Sequence, residues 1–275
     1  VSPKSPKPTL SDWLARQSEA LPAAWATALR ERGDLALPPL AAPVLDLLEH
    51  LRADGEVQLA ALLHLTPALR ELPTPECAKA APGVERLLDG LRAAEQVWSL
   101  HAQREARGNA EGLRRLLLAI IRDLRVVLIL LAEQLARLRA AGKSSRAEQI
   151  ALAQLAADIH APLANRLGIW QLKWELEDLA FRYLQPDTYQ RIARLLDEKR
   201  GDRERFIEDA KRKIRELLRE AGIEADVAGR PKHIFSIWKK MQRKCVPFSE
   251  LYDVRAVRVL VNDIADCYAA LGLVH

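Results

Sequence analysis

Between Val227 and Phe248 the chain carries Arg230, Lys232, Lys239, Lys240, Arg243 and Lys244 and not one acidic residue. Cations gathered in this way attract polyanions, whether a nucleic acid or a small triphosphate. The spacing adds detail. In the run Gly229-Arg230-Pro231-Lys232-His233-Ile234-Phe235-Ser236-Ile237-Trp238-Lys239-Lys240-Met241, a helix over 231–243 would place Lys232, Ser236 and Lys240 on one face and Ile234, Ile237, Trp238 and Met241 on the other. Gly229 would end a preceding strand. Pro231 suits the first turn of such a helix, where a missing N–H costs nothing. The N–H groups and positive dipole end of the helix would then join Arg230 and Lys232 in holding phosphate oxygens. Arginine brings a planar fork to those oxygens and lysine a mobile point charge. The pattern by itself leaves two readings open, a phosphate site or a solvated basic face. No Walker A or dinucleotide-binding glycine pattern accompanies it.

Asp253 opens the run Asp253-Val254-Arg255-Ala256-Val257-Arg258-Val259-Leu260, which alternates and is rich in β-branched residues. A carboxylate at the mouth of a strand near a phosphate-binding helix is where a magnesium ligand would be needed, because magnesium is hard, prefers oxygen and bridges carboxylates to phosphates. A turn residue leading into an edge strand is the other reading.

These residues need a scaffold of strand, helix and strand. Ile223 to Ala228 is short and alternating, 231–243 is helical, and Val254 to Val261 reads as a second strand, so an α/β domain begins after Gly222. Everything before it is helical in pattern. Leu117, Ile120, Ile121, Leu124, Leu128, Leu131, Leu135 and Leu138 recur at intervals of three and four, which predicts a core helix. Further helices are expected near 39–52, 57–65, 82–99, 146–163 and 172–184. A charged amphipathic helix over 200–221 follows, with Phe206, Ile207, Ala210, Ile214, Leu217 and Leu218 on its apolar side and Gly222 as its C-cap.

The chain has 275 residues, a net charge of +5 and three cysteines without a CxxC pair, which points away from disulfide frameworks and thiolate zinc sites and towards a reducing, cytoplasmic setting. The opening residues 1–8 are too polar for a secretory leader and read as a disordered tail. The most apolar segment, 116–135, is interrupted by Arg122, Asp123, Arg125, Glu133 and Gln134, so no membrane partner is expected.

GRPKHIFSIWKKM, LYDVRAVRVLV and, upstream, HAPLANRLGIWQLKWELEDLAFRYL resemble, in this order, the RelA/SpoT family of (p)ppGpp enzymes. The resemblance is strong from about Gly108 to His275 and weak before that. It implies a mainly α chain: an all-helical HD-like, pseudo-hydrolase domain at 9–195, a connecting helix at 196–222, and at 223–275 the incomplete start of an α/β nucleotidyltransferase-like synthetase domain. In that family the synthetase moves the β,γ-pyrophosphate of ATP onto the 3′-hydroxyl of GDP or GTP. By motif, Arg230, Lys232, Ser236 and Lys240 match its ATP-binding positions and Asp253 its catalytic magnesium ligand. ATP and GDP or GTP are therefore the expected partners, magnesium the expected cofactor, and a fragment ending before a second carboxylate is expected to be inactive alone. Ribosome contacts are expected only through regions absent from this chain.

Active family hydrolases carry a first His, a His-Asp pair and a later Asp in an ADRLHN-like stretch, together binding manganese. Here the pair reads His64-Leu65, the later stretch reads Ala132-Glu133-Gln134-Leu135-Ala136-Arg137, and Leu40 falls near the first His position. Leucine cannot ligate a cation, so Leu40, His64, Leu65 and Glu133 are expected to be a degenerate hydrolase site without manganese, as in the synthetase-only RelA branch. His64 then reads as a lone core histidine, while His160 and Asn165 have no evident partner. Trp13, Trp25, Trp98 and Trp170 read as core or interface anchors. A bifunctional SpoT-like enzyme is the rival within the family, with Leu65 against it. A non-catalytic helical or RNA-binding module is the rival outside it, and it would show salt-dependent RNA affinity without any response to ATP.

Overall fold

The computed structural model describes residues 8–17, 21–72, 74–103, 112, 115, 123–198, 200–231, 233–251 and 255–275. The chain is mainly α and divides into two compact units, Val1–Leu176 and Glu177–His275.

The first unit is built around the helix Arg125–Ala140, on which Val126, Val127, Ile129, Leu131, Ala132, Leu135, Ala136 and Leu138 are all buried. A helix apolar around most of its circumference must be enclosed by others. Ala41–His50, Gly55–Leu65, Gly83–Gln103 and Arg146–Leu155 pack against it. The expected stripe is thus closer to a full cylinder. It also starts later: Leu124 precedes the helix and is exposed, and Leu117, Ile120 and Ile121 lie outside the described residues. Gly90 lets the Gly83–Gln103 helix come close, since a Cβ there would stand 2.6 Å from Val126 Cγ2. At its start, the Arg125 guanidinium meets Asp123 at 2.8 Å, Glu56 at 2.9 Å and Asp54 at 3.0 Å. Glu56 also accepts from the Gly83 N–H at 2.8 Å, so one carboxylate ties three helix ends together.

The helix expected near 146–163 is Arg146–Leu155, one wider π turn at Ala156–His160, and then Ala161–Arg166. Its start is fixed by a capping box between Ser145 and Glu148. Among the described residues of this unit, three short α-helices escaped the periodicity reading, Leu10–Arg16, Ala23–Arg30 and Pro75–Ala80, as did Pro186–Glu198 and Ile264–Val274 in the second unit. Two of the first three carry local start signals, a Thr9/Asp12 capping box and Thr74 before Pro75. Trp13 and Trp25 are buried, whereas Trp170 is half exposed; the Trp98 side chain lies outside the described residues.

In the second unit, Pro186–Glu198 and Arg200–Glu220 precede strand β1, Ala225–Pro231, and the helix Ile234–Lys244 leads to β2, Arg255–Val261. The strands pair antiparallel from Ala225↔Val261 to Pro231↔Arg255. Val227 packs with Leu218 and Ala270 beneath this pair, and Ile237 with Ile192, Phe248 and Leu251 forms a second cluster. Gly222 caps Arg200–Glu220 as expected: its φ is +73°, its N–H reaches Arg219 O, and Ile223 N–H reaches Leu218 O.

The strand and helix boundaries differ from expectation at the point that matters most. Pro231 is the last residue of β1, paired with Arg255, and the helix begins only at Ile234 after an extended His233. Strand pairing continues past Gly229 because β2 is long enough to match it. Pro231 therefore takes no part in the first helical turn.

Candidate functional site

The basic helix Ile234–Lys244 is organised as the spacing suggested. Ile237 is fully buried, with Ile234, Trp238 and Met241 packed around the same cluster. Ser236 and Lys240, one turn apart, occupy the other side and are half buried. Lys239 is exposed, its Nζ 5.9 Å from the centre of the Phe235 ring. Arg230 lies on β1 opposite Ala256, though its side chain is outside the described residues, as are Lys232 and Asp253 altogether. Ser236 and Lys240 are thus the pair of predicted site residues that the structure brings together here.

One contact in this region has no signal in the sequence. Asp178, midway along the Trp170–Leu184 helix, accepts a hydrogen bond from the Phe235 backbone N–H at 2.9 Å through Oδ1. Its Oδ2 accepts from the Tyr189 hydroxyl at 3.2 Å. Burial first, and then the neighbouring Asp178 charge, push the Tyr189 hydroxyl up to about 12, so it remains a donor. At least one N–H of the helix end expected to face phosphate is therefore already taken.

Of the four residues expected at the hydrolase position, His64 and Glu133 line a cavity of about 280 Å³ in the first unit, together with Glu95, Arg137 and His160, whereas Leu40 and Leu65 are not part of its wall. Glu133 projects from the central helix and is nearly buried. Its Oε1 accepts from Arg137 Nε at 3.1 Å and Nη2 at 2.5 Å, one turn along the same helix. Its Oε2 stands 3.6 Å from His64 Nε2, which is also 3.7 Å from Glu95 Oε1. Burial is the largest influence on Glu133 and raises its affinity for a proton. The His64 and Arg137 hydrogen bonds and their positive charges outweigh it and hold the carboxyl below its ordinary value.

His64 is therefore not the lone core histidine expected from its apolar neighbours in sequence; it sits between two carboxylates from other helices. His160 is likewise not partnerless. It is buried in the π turn, and its Nδ1 lies 3.2 Å from Leu155 O. Burial lowers its pKa to about 4, with the Leu155 bond and Glu133 opposing, so the ring is neutral near pH 7. A π turn often marks a functional segment, and here it carries the imidazole into the cavity wall. Leu65 ends the Gly55–Leu65 helix, and Leu40 stands just before Ala41–His50. Asn165 O accepts the Gly168 N–H where its helix ends, a structural role. Glu95 went unnoticed in the sequence because its link to His64 is purely tertiary.

A helical unit with this polar cavity is thus followed by a strand–helix–strand that carries a cationic helix, the arrangement of an HD domain joined to a second, α/β domain. Residues 29–170 match the family described as HD domain, and residues 229–275 match the region found in RelA / SpoT proteins. The chain belongs to the RelA/SpoT family. It is 49% identical over 195 residues to a GTP pyrophosphokinase of Escherichia coli (strain K12), covering 70% of this chain and 26% of that protein. It is 44% identical over 236 residues to a GTP pyrophosphokinase of Haemophilus influenzae, covering 84% of this chain and 32% of that protein. A probable guanosine-3′,5′-bis(diphosphate) 3′-pyrophosphohydrolase of Synechocystis is 47% identical over 167 residues, covering 60% of this chain and 22% of that protein. The chain thus spans about a quarter to a third of the length of these relatives. Among the described residues, no helix is long and apolar enough to cross a membrane.

Proposed function

We propose that this chain belongs to a GTP pyrophosphokinase that transfers the β,γ-pyrophosphate of ATP to the 3′-hydroxyl of GDP or GTP, in a cytoplasmic setting. The observation that carries the reading is the Ile234–Lys244 helix, with Ser236 and Lys240 aligned on its polar side inside the segment that matches RelA / SpoT proteins. The acceptor oxygen bonds to the β-phosphorus as the bond to the departing AMP breaks, so negative charge builds on oxygens of the transferring group. Arg230, Lys232 and Lys240 are assigned to hold that charge, and the Ser236 hydroxyl to orient a phosphate oxygen. Asp253, a hard oxygen donor, is assigned to hold the magnesium that accompanies ATP and neutralises phosphate charge.

The helical unit is proposed to be a pseudo-hydrolase without manganese. The donor set is poorly suited to a divalent cation: the Arg137 guanidinium already places a fixed positive charge on Glu133 Oε1, and Leu65 offers no oxygen. That observation weighs against the bifunctional reading, which the hydrolase-named relative would otherwise favour.

Lys240→Ala and Asp253→Asn in the full-length protein test the synthetase reading. Asp253→Asn is expected to depress turnover with nucleotide binding partly retained, and Lys240→Ala to weaken ATP affinity as well as rate, by about 1–3 kcal/mol for one charge-assisted contact. If both variants melt like the wild type and still make (p)ppGpp at its rate, the helix is only a solvated basic face.

A further inference from the structure

The helix Ile234–Lys244 begins without a cap of its own. His233 makes no side-chain hydrogen bond to the first turn, and that turn contains no acidic residue. The first N–H groups of any helix need acceptors from elsewhere. Asp178 supplies one from 57 positions earlier, through its 2.9 Å bond to Phe235 N–H. The same stretch of the Trp170–Leu184 helix also grips the Phe235 side chain: the Phe181 ring lies 5.6 Å from it, and 4.8 Å from the Trp238 ring one turn further on. Tyr189 O–H fixes the second oxygen of the carboxylate and packs edge-on to Phe181 at 6.1 Å. One residue, Phe235, is thus held by backbone and ring together, and Ser236 is its neighbour in sequence.

We propose that Asp178 is a positioning residue for the ATP phosphates, capping the phosphate helix from outside so that Ser236 and Lys240 keep a fixed polar edge. This rests on reading that helix as ATP-binding. The cap also decides where phosphate is held. A bare helix end draws an anion onto its axis, but here a carboxylate already occupies that end and repels a second negative group. The phosphates are therefore held from the side, along Ser236 and Lys240, and not end-on at the helix terminus.

Asp178→Ala and Asp178→Asn separate this role from a merely structural one. Asparagine keeps an acceptor oxygen and caps helices about as well as aspartate. Amide hydrogen exchange at Phe235, measured without nucleotide, reads the cap; KM for ATP and kcat for (p)ppGpp synthesis by the full-length protein read the positioning. For Asp178→Ala, Phe235 exchange and KM are each expected to rise about tenfold, the equivalent of losing one charged cap, while kcat changes little. Asp178→Asn is expected to restore both. Should the alanine variant fold poorly, Tyr189→Phe, which frees the carboxylate without removing it, is expected to raise KM by a smaller factor in the same direction. Unaltered Phe235 exchange in Asp178→Ala overturns the cap. Faster exchange with unchanged KM overturns the positioning role. A wild-type protein that makes no (p)ppGpp removes the ATP-binding reading and this proposal with it, and that failure is separable because the exchange experiment needs no nucleotide.

Discussion

Acid is expected to weaken the helical unit through His160. Its ring is buried in the π turn, and its pKa falls from 6.5 to about 4. Above pH 6.5 the imidazole is neutral in the folded and unfolded chain alike, and it contributes nothing to pH dependence. Between 6.5 and about 4 the unfolded chain binds a proton that the folded chain refuses, so unfolding becomes easier as pH falls. At 1.36 kcal/mol per pH unit the whole window is worth about 3 kcal/mol, with about 2 kcal/mol already lost by pH 5. Glu133 acts in the same direction but in a lower window: its stabilisation is complete above its ordinary value of 4.5 and disappears as pH falls through its depressed folded value. The interval from pH 7 to pH 5 therefore separates His160 from Glu133, and comparison with a His160 variant singles it out. Urea unfolding followed by circular dichroism at both pH values, for wild type and His160→Gln, measures the difference. The glutamine variant is expected to start less stable and to lose about 2 kcal/mol less over this interval. Equal losses in the two proteins would mean that His160 protonates in place, and that its burial does not exclude the charge.

Arg137→Ala is expected to destabilise the first unit by about 1–3 kcal/mol, towards the lower end because the guanidinium is half exposed, and adding Glu133→Gln should recover part of the loss. In the same thermal melts, manganese is expected to leave the wild-type midpoint unchanged; a stoichiometric metal with a raised midpoint would refute the pseudo-hydrolase assignment. Gly90→Ala should cost about 1–3 kcal/mol in chemical denaturation because its Cβ would meet Val126 Cγ2 at 2.6 Å, and Val126→Ala in the same chain should relieve most of that cost.

What could be read from the sequence was what local pattern encodes. The Arg125–Ala140 helix declared itself through apolar spacing, Gly222 through the need for a left-handed residue, and the Ser236–Lys240 edge through its four-residue repeat. Pro231 misled because its fixed φ suits a strand end as well as a first helical turn, and the choice depended on β2, more than twenty residues later. Asp178 was invisible for a related reason: a carboxylate in an amphipathic helix looks like solvent-facing charge until its acceptor role 57 residues away is known. His64 and His160 were misjudged because their neighbours in sequence are apolar, whereas their neighbours in space, Glu133 and Glu95 for one and the Leu155 carbonyl for the other, are polar.

On the pseudo-hydrolase reading, the departures from the family pattern around Glu133 belong together. A carboxylate nearly buried within the central helix needs a counter-charge, since a lone buried ion is far more costly than a paired one. In the hydrolase pattern that charge would be a metal shared among several ligands. With leucine at position 65, fewer ligands remain to share one, and Glu133 would be left with His64 as its counterpart. Arg137 answers this locally: four residues along the same helix, it lies on the same face and places both Nε and Nη2 on Oε1. A guanidinium is always charged and fixed to the chain, so it balances Glu133 but cannot present an activated water as a bound metal does. On the pseudo-hydrolase reading, the arginine at 137 thus offsets part of the cost of burying Glu133 without a metal, and the cavity would retain its polarity without its chemistry.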